Sequence, residues 1–332
     1  MDNTSNDPWQ MGLDSGRVKL LSPAGYLFTG IYLTVLGILA VAGNGLVFIV
    51  LTRKRVLRRK PHNMLLINMA AADLVITVFG YPFTTLSSYM NKYVFGWFYC
   101  ILQGFLTSLC AIGTMNTLVV ISVYRYIAVS KPQWKHLLTF ELTCKVLLFV
   151  WVFTLFWTVA PLLGWNSYTI EPFGTSCSID WTTDDPFDII YIYCFVGLFY
   201  VSNILVMSFC YYHIVKKSKL LGMMKSTSFN GDDAKTPPSD DCRSEGYRIL
   251  VLVYFVVWSP YAWASILSVY DHNLPIWATT LPTMFAKLAS MLNPFVYIAT
   301  NSSFKDAARD FFCDKRNRVH SLAHDRDNKT NG

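Results

Sequence analysis

Lys287 and Asp73 are the charge-bearing side chains that fall deep inside long apolar stretches of this chain. Ionisable groups surrounded by apolar residues cost free energy and tend to mark function. Lys287 stands in the middle of Pro282-Thr283-Met284-Phe285-Ala286-Lys287-Leu288-Ala289-Ser290, about three helical turns from one end of its stretch and two to three from the other. A lysine near a helix end reaches water by extending along the surface; this one is too deep for that. A desolvated amine, when neutral, is a nucleophile toward an aldehyde. The alternative is a lysine paired with a carboxylate or lining a water-filled pore, and residue types alone leave both open.

The elements that must position these residues are membrane helices. The chain has 332 residues, is 53% hydrophobic and 15% charged, whereas soluble domains carry about 25% charged residues. Its apolar residues come in seven blocks, 25–51, 63–89, 99–129, 142–165, 187–215, 247–270 and 276–299. A helix needs about 20 such residues to cross the hydrocarbon layer, and the longer blocks predict tilt or ends protruding from the bilayer. The expected fold is an all-α membrane protein, a seven-helix bundle over 25–300, with an outer tail at 1–24, a short amphipathic helix at 301–313 and a flexible cytoplasmic tail at 314–332. A β-barrel would show short alternating strands instead.

Orientation follows from basic residues in short loops. Arg53-Lys54-Arg55-Val56-Leu57-Arg58-Arg59-Lys60, Lys131 and Lys135, and Lys216, Lys217, Lys219 and Lys225 all fall on one side, the cytoplasmic one. The loop between the fourth and fifth blocks is acidic, with Glu171, Asp180, Asp184, Asp185 and Asp188. The net charge of +7 is then a topology signal rather than a nucleic-acid site, and the N-terminus lies outside or in a lumen. No signal-peptide pattern precedes the first block. Asn3-Thr4-Ser5 is a glycosylation acceptor on that outer side.

Of eight cysteines, Cys100 and Cys177 lie at or beyond the outer face, where disulfides persist. A bridge between them would pin the loop after the fourth block across the bundle; two free thiols are the alternative. Cys110, Cys144, Cys194 and Cys210 read as small core residues. Cys313, after Phe311-Phe312, suits a palmitoyl anchor into membrane lipid. The segment 231–241 is polar and rich in breakers, as is 315–332. There is no glycine-rich phosphate loop, and no metal site is expected.

Taken together, several short motifs resemble the rhodopsin-type G-protein-coupled receptors over the whole membrane region. They are Gly43-Asn44, Asn68-Met69-Ala70-Ala71-Ala72-Asp73, Cys100 with Arg125-Tyr126, Trp258-Ser259-Pro260-Tyr261 and Asn293-Pro294-Phe295-Val296-Tyr297. Lys287 lies seven residues before Pro294, the place of the retinal-binding lysine in opsins. The resemblance therefore implies an opsin carrying retinal, all-trans or 11-cis, as a Schiff base on Lys287. A diffusible-ligand receptor that merely carries a lysine here is the remote alternative.

A protonated Schiff base inside a bundle needs a nearby anion. Visual pigments of vertebrates use a glutamate three residues after the third-helix cysteine, and Gln103 stands there instead. The other opsin carboxylate lies six residues before the loop cysteine, which is Glu171. Glu171 is the expected counterion, with Asp180 next and by resemblance structural. Trp258 and Tyr261 should touch the polyene by resemblance; from local sequence alone they read as plain core. Asp73 resembles the polar-network acid of these receptors, beside Asn44 and Asn293.

The stretch from Phe149-Val150-Trp151 through Phe156-Trp157 to Pro161-Leu162-Leu163-Gly164-Trp165 is similar to the retinochrome, peropsin and retinal-epithelium opsins, as is Glu171-Pro172-Phe173-Gly174-Thr175. Neuropsins are close neighbours. That resemblance implies a retinal photoisomerase converting all-trans to 11-cis. Two departures point the same way. Tyr124 replaces the acid that precedes the helix-three arginine, so Arg125 is less well held. Asn203 replaces the helix-five proline, eight residues before Tyr211; proline breaks helix hydrogen bonding and lets a helix bulge, so the usual activation movement is in doubt. Against this, Arg125, Tyr211, Trp258 and Tyr297 are present, and Asp240 is a second acid to restrain Arg125. A light-activated receptor coupled to a heterotrimeric G protein is therefore the competing reading.

Overall fold

Seven long helices form the bundle in the computed structural model, which describes residues 16, 18–227, 239–300, 304 and 308–309. They are α1 (Pro23–Arg53), α2 (Pro61–Tyr89), α3 (Trp97–Ser130), α4 (Phe140–Leu163), α5 (Pro186–Val196, continued through Gly197–Val201 into Ser202–Thr227), α6 (Ser239–Tyr270) and α7 (Ile276–Thr300). The first six contain stretches long and apolar enough to cross a membrane. α7 carries several polar groups on its inner side, with Thr280, Thr283, Ser290 and Asn293 all buried. α5 and α6 run well past the apolar blocks at their cytoplasmic ends, as protruding helix ends should.

Local chemistry fixes the helix starts. Ser22 caps α1 by accepting the Gly25 amide at 3.1 Å, Thr139 caps α4 through the Leu142 amide, and Asp185 caps α5 through the Phe187 amide. Proline follows the cap in α1 and α5, where its missing N–H leaves nothing unpaired. A two-stranded hairpin, β1 (Tyr168–Ile170) and β2 (Cys177–Ile179), lies across the outer end, with Tyr168 opposite Ile179 and Ile170 opposite Cys177.

Inside a membrane every freed backbone group must find a partner in the protein. Pro294 has no N–H, so the carbonyl of Ser290 loses its helical donor. Asn44 Nδ2 fills that place at 2.8 Å, and Gly43 lets the proline ring approach: a Cβ there would sit 2.8 Å from Pro294 Cγ. Asn293 Nδ2 donates to Asp73 at 2.9 Å. Asn68 links α3 and α4 by donating to Thr117 and accepting from Trp151.

α5 bulges despite lacking the proline. Gly197–Val201 forms a π turn, and the Phe199 carbonyl accepts both Asn203 Nδ2 and Tyr254 Oη at 2.9 Å. Asn203 Nδ2 also reaches Asn116 Oδ1 in α3 at 3.2 Å. The doubt that the sequence raised over this helix is thus removed at the level of shape: an amide side chain supports the bulge that a proline produces by omission.

On the cytoplasmic side, Tyr124 is buried and shares a hydrogen bond with Thr143 of α4 at 3.2 Å. Tyr297 donates to Met69 Sδ. Cys144, read above as core, is exposed on the outer surface of α4, whereas Cys110 and Cys210 are buried; apolar periodicity does not separate a lipid-facing side from a core-facing one. Phe304 is helical and packs into the cytoplasmic core. Ala308 and Arg309 are helical too; the rest of 301–313 with Cys313, the Asn3 acceptor, and the side chain of Asp240 lie outside the described residues.

Replacing Asn203 by Ala or Tyr254 by Phe removes one donor from the Phe199 carbonyl and should each destabilise by about 1 kcal/mol. The double variant leaves that carbonyl without a side-chain donor and should lose more than the sum of the two, measured by thermal unfolding in detergent.

Candidate functional site

Lys287 projects from the centre of α7 into a cavity lined by α2, α3, α5, α6, α7 and the β1–β2 hairpin. Most of the wall is apolar or aromatic: Ile76, Ala111, Ile112, Met115, Ile179, Phe199, Trp258 and Ala262 all line it. The Lys287 ammonium faces the Tyr81 ring at 5.9 Å and donates a long hydrogen bond of 3.5 Å to Ser176 Oγ. Tyr81 Oη donates to the Lys287 carbonyl, fixing the helix from which the amine projects. Ser176 Oγ in turn accepts from Thr84, which accepts from Gln103 Nε2 at 2.8 Å. The sequence reading found Lys287 but not Ser176, Tyr81 or Thr84: nothing in the sequence distinguishes one hydroxyl from many.

The carboxylate comes from a loop. Glu171 follows β1 and opens the turn that leads into β2, its amide donating to the Ser176 carbonyl at 2.8 Å. Gly174 closes the turn with φ +76°, a conformation that favours glycine. Four ties hold this hairpin over the cavity. Cys100 at the start of α3 is bonded to Cys177 in β2. Phe173 is fully buried between Leu33 of α1 and Met284 of α7. Lys19 donates its amide to the Pro172 carbonyl and its ammonium to the carbonyls of His272 and Leu274. Gly104 allows close approach of Tyr168, since a Cβ there would meet its ring at 2.7 Å.

Glu171 is 7% exposed and accepts from Thr283 Oγ1 at 3.2 Å. Burial pushes its carboxyl above the usual carboxylate range, while the Lys287 charge, Ser178 and Thr283 pull it part of the way back. Glu171 and Lys287 both line the cavity, though not in direct ion-pair contact.

The remaining candidates separate into distinct places. Trp258 and Tyr261 line the cavity with rings 6.5 Å apart, and Tyr261 Oη accepts Trp181 Nε1 at 3.0 Å. Asp180 accepts from the amide and hydroxyl of Thr182 and so organises the turn after β2. Gln103 is buried and neutral, with Nε2 donating to the carbonyl of Gly80, the last residue of the π turn of α2. Asp73 meets Asn293 at the cytoplasmic edge of the cavity, while Tyr124, Arg125, Tyr211 and Tyr297 lie further toward the cytoplasmic end and do not line it.

Comparison with known proteins agrees with this geometry. Residues 43–297 match the family model described as 7 transmembrane receptor (rhodopsin family). The G0-coupled rhodopsin of Mizuhopecten yessoensis is 31% identical over 291 residues, covering 86% of this chain and 72% of its own. Opsin-5 of Mus musculus is 31% identical, over 82% of this chain and 72% of its own. The crystal structure of squid rhodopsin superposes with a TM-score of 0.77 at 26% identity, over 89% of this chain and 87% of that one.

The Cys100–Cys177 bridge spans a sequence separation of 77. Replacing both cysteines by serine should cost roughly 4 kcal/mol of stability on loop-closure grounds. Thermal unfolding of the double variant, with and without reductant on the parent protein, measures it.

Proposed function

This chain belongs to the opsins of the rhodopsin family of seven-transmembrane receptors, and from that premise we propose that it is a light receptor whose retinal is carried as a Schiff base on Lys287. The observation that carries the reading is the lysine amine in a mainly apolar cavity that a buried carboxylate, Glu171, also lines. The residues present fit a long apolar aldehyde: an amine to condense with it, aromatic and aliphatic walls for a polyene, and a carboxylate, Glu171, whose charge acts on that amine. Retinal, when bound, supplies visible absorption and a light-driven isomerisation about its chain.

Each protein group has a definable task. Lys287 anchors the chromophore. Glu171 balances a positive charge at that anchor, a role that Gln103 cannot take. Ser176 orients the amine and carries its hydrogen bond toward Thr84. Trp258 and Tyr261 bound the polyene, and Trp181 closes over Tyr261. Toward the cytoplasm, the bulged α5 and the Asp73–Asn293 pair are the parts through which a change in the cavity would reach a heterotrimeric G protein.

A second reading, a retinal photoisomerase that forms 11-cis from all-trans, is favoured by one observation. Tyr124 occupies the place of the acid beside Arg125 and is hydrogen-bonded away to Thr143 of α4. Under that reading light drives the chemistry and coupling is weak. The retained bulge of α5 favours signalling, so the receptor reading stands first.

Lys287→Ala should abolish the visible band after reconstitution with retinal. Glu171→Gln should leave retinal bound but move most of the band to the ultraviolet at neutral pH, and Asp180→Asn should not. Retinal extracted before and after illumination, from protein loaded separately with all-trans and 11-cis forms, separates the two readings. Net production of all-trans with nucleotide exchange on a G protein supports the receptor; net production of 11-cis without exchange supports the photoisomerase.

A further inference from the structure

The loop between α1 and α2 carries Arg53, Lys54, Arg55, Arg58, Arg59 and Lys60, and no acid occurs in the sequence between Asp14 and Asp73. Membrane orientation accounts for the sign of this charge. It does not account for its arrangement, because orientation requires neither arginine nor an ordered backbone.

This loop is folded. Arg55–Arg58 makes one helical turn. The Leu57 and Arg58 amides donate to the Lys54 carbonyl, the Arg59 amide to Arg55 and the Lys60 amide to Leu57. Asn63 Nδ2 of α2 donates to the Leu57 carbonyl at 3.0 Å, and the Leu57 side chain packs against the cytoplasmic core. Arg55, Arg58 and Arg59 stand three and four positions apart, which sets them side by side on a helical turn. All three are exposed. The Arg59 guanidinium lies over the ring of Phe140, at the start of α4, 5.7 Å from its centroid. Among the described residues, neither Arg55 nor Arg58 has an ion-pair partner. Glu141 follows Phe140, with Lys145 one turn further along α4.

Like charges at this spacing repel one another, so an ordered turn that gathers three guanidinium groups without a carboxylate suits an anion of high charge. Guanidinium forks match the oxygens of phosphate in pairs, which an ammonium does not. A phosphomonoester has close to two charges and three acceptor oxygens, more than the phosphodiester of an ordinary phospholipid. Basic clusters beside a membrane helix are suited to headgroups of this kind. The place of the turn favours a lipid over a soluble phosphate. Val56, within the turn, is 75% exposed, and Phe140 opens the apolar span of α4. The arginines thus stand at the cytoplasmic membrane surface next to apolar side chains that suit acyl chains.

We propose that the turn from Arg55 to Arg59 is a binding site for an inner-leaflet lipid whose headgroup carries phosphomonoesters, of the phosphoinositide class. The site is independent of Lys287 and needs no retinal.

The test uses the full chain in detergent micelles and a fluorescent phosphatidylinositol bisphosphate, with binding read by anisotropy. Replacing Arg55, Arg58 and Arg59 together by Gln should weaken binding at least ~10-fold. Replacing Lys216, Lys217 and Lys219 of α5 by Gln removes the same charge elsewhere and should leave binding within about twofold. Equal losses in the two variants overturn the proposal. Because loss of cytoplasmic charge can disturb insertion, the three arginines are also replaced by Lys, and thermal unfolding checks each variant. The Lys variant keeps the charge and should still bind several-fold more weakly; parent-like binding overturns recognition by the arginine forks. Unlabelled phosphatidylserine should displace the probe poorly, and displacement at equal total charge overturns the phosphomonoester assignment. Inositol trisphosphate that competes as well as the intact lipid overturns the lipid assignment. A peptide of residues 231–241 that competes as well gives the turn to that acidic segment and overturns it too.

Discussion

A charged lysine amine at the centre of an apolar bundle is costly without a carboxylate near it, and among the described residues the helices lining this cavity bring only Asp73 to it. Asp73 sits at the cytoplasmic edge, held by Asn293. The carboxylate has to be carried in from outside, on a hairpin folded across the top of the helices. Much of the outer half of the molecule follows from that requirement. The disulfide, the buried Phe173, the strap through Lys19 and the glycine contact at Gly104 all hold the segment around Glu171 down against α3 and α7.

The helices around the cavity are irregular for a related reason. A wide cavity needs helices that bulge or bend, and each irregularity frees a carbonyl that no water can reach. Here side chains, all but Asn203 from a neighbouring helix, donate to carbonyls at these irregular turns: Gln103 at Gly80, Asn203 and Tyr254 at Phe199, and Asn44 at Ser290. These contacts do two jobs at once. They make the bends tolerable, and they tie α1 to α7, α2 to α3 and α5 to α6 around the chromophore.

At the cytoplasmic end the pattern is mixed. Tyr124 turns toward α4, which changes what surrounds Arg125. The α5 bulge, by contrast, survives the loss of its proline because Asn203 supplies two hydrogen bonds in its place. Two substitutions that look alike in the sequence, each a departure at a motif position, therefore have different structural consequences.

The sequence by itself determined the number and order of the membrane helices, their orientation, and the depth of Lys287, because hydropathy and charge act over whole segments and need no partner to be read. It also singled out the two cysteines, by their place at the outer face, and, through the resemblance to opsins, Glu171 six residues before Cys177. Only the tertiary structure decided which side of α4 faces lipid, exposing Cys144. It alone placed Ser176 and Tyr81 beside the amine, and Thr84 behind Ser176. Those contacts join residues tens to hundreds of positions apart, and a hydroxyl in the sequence carries no mark of which distant group it will meet.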